Sequence, residues 1–251
     1  MQDDAAHHLG RVLRAQTGQL YELSDGERVR LGRIEKVGRD RVQFALLEEL
    51  PAHQPRLQVT LLLAVVKFDM FEWAIEKATE LGVTTIVPLA AARSEKALLS
   101  AAGKRAERWK KILLEASQQS RRVRLPALAH LTKSEGAFSS YNDDETLRVI
   151  LSEGASAPSL RTILERGAGW KPALQNGDVK SPLQTQALQE GGQVTTAVLA
   201  IGPEGGWTDA EFETARHSGF QEASLGKLIL RTETAVITAL ASLNYALNVE
   251  Q

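Results

Sequence analysis

The segment Ile201–Trp207 (IGPEGGW) places Gly202, Gly205 and Gly206 between an apolar run and a helix-like stretch. Glycine there lets backbone amides approach a ligand closely, and a helix start favours an anionic group on that ligand. The spacing is G-x-x-G-G, without the G-K-[ST] of a phosphate loop or the G-x-G-x-x-G of a dinucleotide site. Alone, it reads better as a tight strand-to-helix turn with no ligand. Ser152-Glu153-Gly154 and Leu225-Gly226 share its setting at the ends of predicted strands. Ligands of open α/β sheets bind at strand carboxyl ends, so three such loops can converge on one small molecule.

Leu225–Ala235 (LGKLILRTETA) adds polar chemistry. Arg231, Thr232, Glu233 and Thr234 stand between apolar Leu228–Leu230 and an apolar helix. Thr232 suits an N-cap. Arg231 lies against the helix dipole, a placement better explained by an anion or a polar base facing it. Lys104–Arg124 holds eight Lys/Arg against two acidic residues. It reads either as a solvated helix face or as an RNA contact. Gln118, Gln119, Ser120, Arg121 and Arg122 offer donors for phosphates and base edges. Arg11 and Arg14, near His8, form a second candidate patch. His7 and His8 have no third metal ligand beside them, so a surface or RNA-contact role fits them better.

The elements that must position these residues follow from periodicity. Gln19–Leu23, Val29–Glu35 and Val37–Leu47 read as strands, the first two flanking the turn Ser24–Glu27. Together they predict a small barrel or open sheet over residues 1–50, with a Pro-containing linker at 51–58. Beyond it, Leu61–Val66, Thr84–Leu89, Leu147–Ser152 and Thr196–Ile201 read as buried strands and Glu222–Leu225 as a short one. Asp69 and Glu72 suggest a capped helix presenting Met70, Trp73, Ala74, Ala78 and Leu81, closed by Gly82. Arg105–Gln119 carries Trp109, Ile112, Leu113 and Ala116 on one stripe. Thr208 and Glu211 predict a capping box, and Thr232–Leu247 a helix apolar on most sides. Strands alternating with helices predict an α/β domain over 59–251 with a mainly parallel sheet. Residues 166–193, with five Gly, five Gln and two Pro, read as a mobile surface insertion.

Composition excludes several classes. The chain has 251 residues, 30 basic and 31 acidic, for a net charge of −1. No uniformly basic coat exists, so RNA contact needs local patches. The absence of cysteine excludes disulfides, thiolate nucleophiles and cysteine-ligated zinc. The N-terminus has no apolar signal run, and Leu61–Val66 is too short to span a bilayer. A soluble, intracellular protein is expected.

The pair IGPEGG and LG-x-x-I-L-R-T-E-T-A resembles the C-terminal signature of the RsmE family, SPOUT-class 16S rRNA uridine-N3 methyltransferases. His8–Arg14 resembles the family's H-x-x-x-V-L-R, and Lys67–Gly82 its K-x-x-x-x-x-x-x-I-x-K-x-x-E-L-G helix. Arg93-Ser94 and Trp109–Gln119 also fit. The likeness touches nearly the whole chain outside 166–193. It implies a trefoil-knotted methyltransferase domain, a homodimer and a small PUA-like β-barrel domain that helps bind RNA. The family's strand or hairpin before H-x-x-x-V-L-R has no counterpart here, which implies an incomplete barrel. Arg121 stands where many members have glycine.

By the same resemblance, Glu153, Ile201, Gly202, Gly205, Gly206, Leu225, Gly226 and Leu230 would line a pocket for S-adenosylmethionine. Arg231 would lie where base and methyl donor meet. Glu204 would assist proton removal if burial raised its pKa, or serve as a structural acceptor in the loop. His8, Arg11, Arg14, Lys67, Arg93, Gln118, Gln119, Arg121 and Arg122 would contact 16S rRNA or the small ribosomal subunit. No metal is implied. A knotted tRNA methyltransferase and a non-catalytic RNA-binding protein of the same fold are the alternatives.

Overall fold

A computed structural model describes residues 6–12, 14–38, 40–51, 56–141, 145–154, 156–167 and 194–247. The insertion expected at 166–193 lies outside them from residue 168 onward. The chain divides into two compact units, Met1–Gln54 with Arg121–Leu125, and Pro55–Ser120 with Pro126–Gln251.

In the N-terminal unit a short π-helical turn, His8–Val12, precedes three strands: β1 (Leu20–Ser24), β2 (Val29–Val37) and β3 (Val42–Leu50). They pair antiparallel in the order β1-β2-β3. Ala6, Leu9, Ala15, Ile34 and Val42 form its small core. The third strand starts at Val42 rather than Val37, because β2 runs through Val37 and the Gly38 N–H closes a turn onto the Arg41 carbonyl at 2.8 Å. Residues 121–125 belong here through Ser24 Oγ donating to the Val123 carbonyl (3.0 Å) and Arg124 Nε to the Gly26 carbonyl (3.1 Å).

The larger unit carries a seven-stranded sheet whose pairings are all parallel. Its strands are β4 (Gln58–Ala64), β5 (Thr85–Ala90), β6 (Ala127–Leu128), β7 (Thr132–Lys133), β8 (Leu147–Leu151), β9 (Thr196–Ile201) and β10 (Gln221–Ala223). The order is β10-β8-β9-β4-β5-β6, with β7 also on β5. β4 is central and covered on both faces. Leu61 and Leu63 enter one apolar cluster, and Leu62 and Ala64 enter the other. This period-two division is why the run reads as continuously apolar.

The helices are α1 (Phe68–Glu80), α2 (Lys96–Gln119), α3 (Ser134–Ser139), α4 (Leu160–Gly167), α5 (Asp209–His217) and α6 (Thr232–Leu247). Two expectations about α1 change. Its N-cap is Lys67, without a side-chain bond, and Asp69 lies in the first turn. Its buried stripe is Phe71, Ala74, Ile75 and Ala78, while Trp73 is 42% exposed. The stripe faces α2, where the Trp109 ring lies 4.6 Å from Phe71. Glu72 caps nothing; it is buried and takes Arg108 Nε at 2.7 Å and Arg105 Nη1 at 3.3 Å. α2 begins at Lys96 rather than Arg105, since Gly103 weakens the pattern without ending the helix.

Arg121 follows the C-cap Ser120 of α2 and has φ 55°. A left-handed backbone costs a side-chain-bearing residue about 1–2 kcal/mol. Glycine loses about 0.5–1 kcal/mol of that advantage through its unfolded-state entropy. Arg121→Gly is therefore expected to raise unfolding free energy by roughly 0.5–1 kcal/mol in urea titration. A fall would show that the arginine's contacts outweigh the strain.

Candidate functional site

The carboxyl ends of β8, β9 and β10 open onto one cavity of about 510 Å³, within the ~300–1,000 Å³ usual for small-molecule sites. Three loops build its wall. Ser152-Glu153-Gly154 follows β8, Ile201–Trp207 ends β9 and leads to α5, and Leu225–Thr232 connects β10 to α6. Glu153, Ile201, Gly202, Gly205, Gly206, Leu225, Gly226 and Leu230 all line it, together with Glu204 and Arg231.

Gly202 is the hub. A Cβ there would stand 3.0 Å from Trp207 Cε2, so the indole packs directly on the glycine backbone. Trp207 Nε1 donates to the Leu151 carbonyl at 3.0 Å, tying the β9 loop to the end of β8. Phe138 braces the indole edge-on at 5.6 Å. Thr232 Oγ1 donates to the Gly202 carbonyl at 3.1 Å, which ties in the third loop. Thr232 is therefore a cross-link and the first residue of α6, not its N-cap. The N-cap position falls on Arg231, whose carbonyl accepts the Ala235 N–H at 2.9 Å. Gly206 (φ 69°) and Gly226 (φ 135°) hold backbone conformations that other residues resist.

Three cations, Arg93, Lys227 and Arg231, line the cavity together with three carboxylates, Glu153, Glu204 and Glu222. Lys227 and Arg231 form no ion pair among the described residues. Glu204 is exposed, so this chain does not supply the burial on which its role as a base depends. Arg93, on the loop after β5, donates Nη1 to the Gly205 carbonyl at 2.8 Å and belongs to this wall. Local sequence could not reveal this, because the partners are 112 residues apart. Trp207, Lys227 and Glu222 also line the wall, and no local spacing marks them for it. Trp207 was inside the glycine motif, but its role appears only once β8 lies beside β9.

The other predicted contacts lie elsewhere. Lys67 is exposed at the start of α1, and Gln118 and Gln119 are exposed at the end of α2. Arg11, Arg14, Arg121 and Arg122 belong to the N-terminal unit. Burial holds the Arg122 guanidinium below its ordinary pKa. The His8 backbone lies in the π-helical turn, and its side chain is outside the described residues. The basic run of α2 is partly neutralised. Arg105 and Arg108 pair with Glu72, Lys110 with Glu107 at 2.8 Å, and Lys111 with Glu115 at 3.9 Å. Among the described residues, no His/Asp/Glu group could hold a metal ion, and no helix is long and apolar enough to cross a membrane.

A parallel sheet with helices on its faces and a glycine-walled cavity at its strand ends fits an α/β, SPOUT-like methyltransferase domain, in keeping with the knotted architecture of that class. Residues 53–244 match the family described as "RNA methyltransferase domain", and residues 2–47 match "RNA methyltransferase PUA domain". The ribosomal RNA small subunit methyltransferase E of Synechocystis is 35% identical over 95% of this chain and 70% of its own length. The Bacillus subtilis protein of that name is 29% identical over 96% and 88%. Among solved structures, the Neisseria gonorrhoeae methyltransferase E, bound to S-adenosyl methionine, has a TM-score of 0.78 at 28% identity, covering 98% of this chain and 90% of that one. A putative methyltransferase from Legionella pneumophila, in complex with the same cofactor, gives 0.77 at 28% over the same shares. The chain belongs to the RsmE family of ribosomal RNA methyltransferases.

Proposed function

We propose that this protein transfers a methyl group from S-adenosylmethionine to N3 of one uridine in 16S rRNA of the small ribosomal subunit, as a cytoplasmic homodimer. The observation carrying this reading is the convergence of three strand-end loops on one cavity with Arg231 in its wall. The relatives' names point to small-subunit rRNA, and two of the similar structures hold the methyl donor. Residues 1–50 would help bind RNA, 51–58 would link, and 59–251 would carry out transfer.

The cavity suits the donor chemically. Apolar Leu151, Ile201, Leu225, Leu230 and Ala235 offer faces for a flat ring. The carboxylates of Glu153 and Glu222 can accept from hydroxyl or ammonium groups. S-adenosylmethionine, when bound, supplies an electrophilic methyl group on a sulfonium. Uridine N3 is a poor nucleophile until its proton leaves to water; the charge then spreads onto O2 and O4, and forming the N3–CH3 bond would break the S–CH3 bond and leave a neutral thioether. Arg231 donates hydrogen bonds to those oxygens and holds the base in line, the preorganised stabilisation that such sites need. Lys67, Arg93, Gln118, Gln119, Arg121, Arg122, His8, Arg11 and Arg14 contribute RNA contacts in this reading.

Unmodified small subunits, free 16S rRNA and tRNA should each be incubated with the protein and methyl-labelled donor. Label is expected in the rRNA of the subunit. Label in tRNA alone would transfer the assignment there, and an absence of donor binding by calorimetry would overturn the enzyme reading.

A further inference from the structure

We propose that Glu211 is a positioning residue for the cavity wall, coupling the start of α5 to the loop after β5 so that Arg93 is held against Gly205. This deepens the methyltransferase reading and rests on it. Glu211 is 1% exposed and does not line the cavity. Its Oε2 accepts the Thr208 N–H and the Thr208 hydroxyl, both at 2.9 Å, and the Thr208 hydroxyl in turn accepts the Glu211 N–H, completing a capping box. A cap needs nothing more. Yet Oε1 accepts the Ala92 N–H at 3.0 Å, across 119 residues of sequence.

The residue next to Ala92 is Arg93, whose Nη1 donates to the Gly205 carbonyl at 2.8 Å. A Cβ on Gly205 would stand 3.3 Å from Arg93 Cβ, so stem and backbone are in close contact as well. The chain of contacts therefore runs from a buried carboxylate, through one amide, to an arginine and a glycine that both face the cavity. Burial alone would raise the Glu211 pKa, but the Thr208 and Ala92 amides and the Thr208 and Ser134 hydroxyls hold it below the ordinary value. The group is thus a carboxylate at neutral pH, and bonds to a charged acceptor are the stronger kind. Glutamine keeps the shape but offers only one acceptor oxygen for donors that now reach two.

The test compares wild type, Glu211→Gln, Thr208→Ala, Arg93→Ala and the double variant Glu211→Gln/Arg93→Ala. Affinity for S-adenosylmethionine is measured by calorimetry, and kcat and KM with small subunits. Glu211→Gln is expected to weaken donor binding about tenfold, the scale of one charged hydrogen bond. Thr208→Ala removes a capping hydroxyl but leaves the Ala92 contact, so it should lower Tm and keep donor affinity within twofold. The double variant should bind no more weakly than Arg93→Ala, while the losses in Tm add. Hydrogen exchange reads the coupling without any ligand. In Glu211→Gln, the amides of 91–94 and 205–207 should lose protection together, whereas in Thr208→Ala they should not. Independent, additive losses in affinity, or protection of 91–94 unchanged in Glu211→Gln, would overturn the proposal. Failure of the wild type to bind donor would instead count against the functional reading, and the exchange data would still judge the coupling.

Discussion

Arg231→Ala is expected to lower kcat by about 10²–10³-fold, the loss seen when one donor to a developing oxyanion is removed, while donor affinity stays within a few-fold. The backbone around the site should survive the change. The Arg231 carbonyl accepts the Ala235 N–H whatever the side chain, and Thr232 keeps its bond to Gly202. What is lost is a guanidinium in the cavity wall without a carboxylate partner among the described residues. Its placement at the start of α6 is unfavourable to the helix, since the dipole there repels a cation. A planar fork can meet a carbonyl oxygen and the ring edge together, so lysine should restore only a small part of the rate. Single-turnover measurements with saturating donor separate this from weakened binding. A wild-type rate would remove Arg231 from the chemistry.

Gly202→Ala should have the largest effect on donor binding. Its new methyl would lie 3.0–3.3 Å from three atoms of the Trp207 indole. The indole cannot yield cheaply, because Phe138 braces it and its N–H is bonded to the Leu151 carbonyl. Overpacking of this kind costs about 1–3 kcal/mol of stability. Moving the ring also separates the β8 and β9 loops and strains the Thr232 cross-link. Donor affinity should fall about 100-fold, equivalent to roughly 2.7 kcal/mol. Gly103→Ala is the control, since a Cβ there meets nothing within 4 Å. Calorimetry and thermal melts read both variants. Wild-type affinity in Gly202→Ala would mean that the indole is not the wall described.

Much of the architecture was legible because its signals are local. β9 (Thr196–Ile201) and α6 (Thr232–Leu247) occur at the predicted bounds, since each is a dense apolar run with a sharp edge. The Thr208–Glu211 box could be read from spacing alone. The stripe of α1 holds except at its aromatic: Ala74 and Ala78 are buried and Met70 and Leu81 pack against the core, whereas Trp73 looks like a core residue but is left outside, its place taken by Phe71 and Ile75. The short helices α3 and α4 escaped notice because so few residues carry little periodicity. In the site, glycines and Arg231 were visible as motif residues. Arg93 on Gly205, Glu211 on Ala92 and Trp207 on Leu151 were not, because each contact exists only after strands far apart in sequence become neighbours. In the basic run of α2, the pairing of Arg105 and Arg108 was equally hidden, since their charges look free until Glu72 arrives from α1.

The central claim is the identity of the methylated atom. Unmodified small subunits should be incubated with protein and labelled S-adenosylmethionine, and the 16S rRNA digested and mapped by mass spectrometry. One added methyl group is expected, on N3 of a single uridine, and about 10²–10³-fold slower to form with Arg231→Ala. A methyl group on another base, on a ribose hydroxyl, or on no nucleotide of the subunit would contradict it.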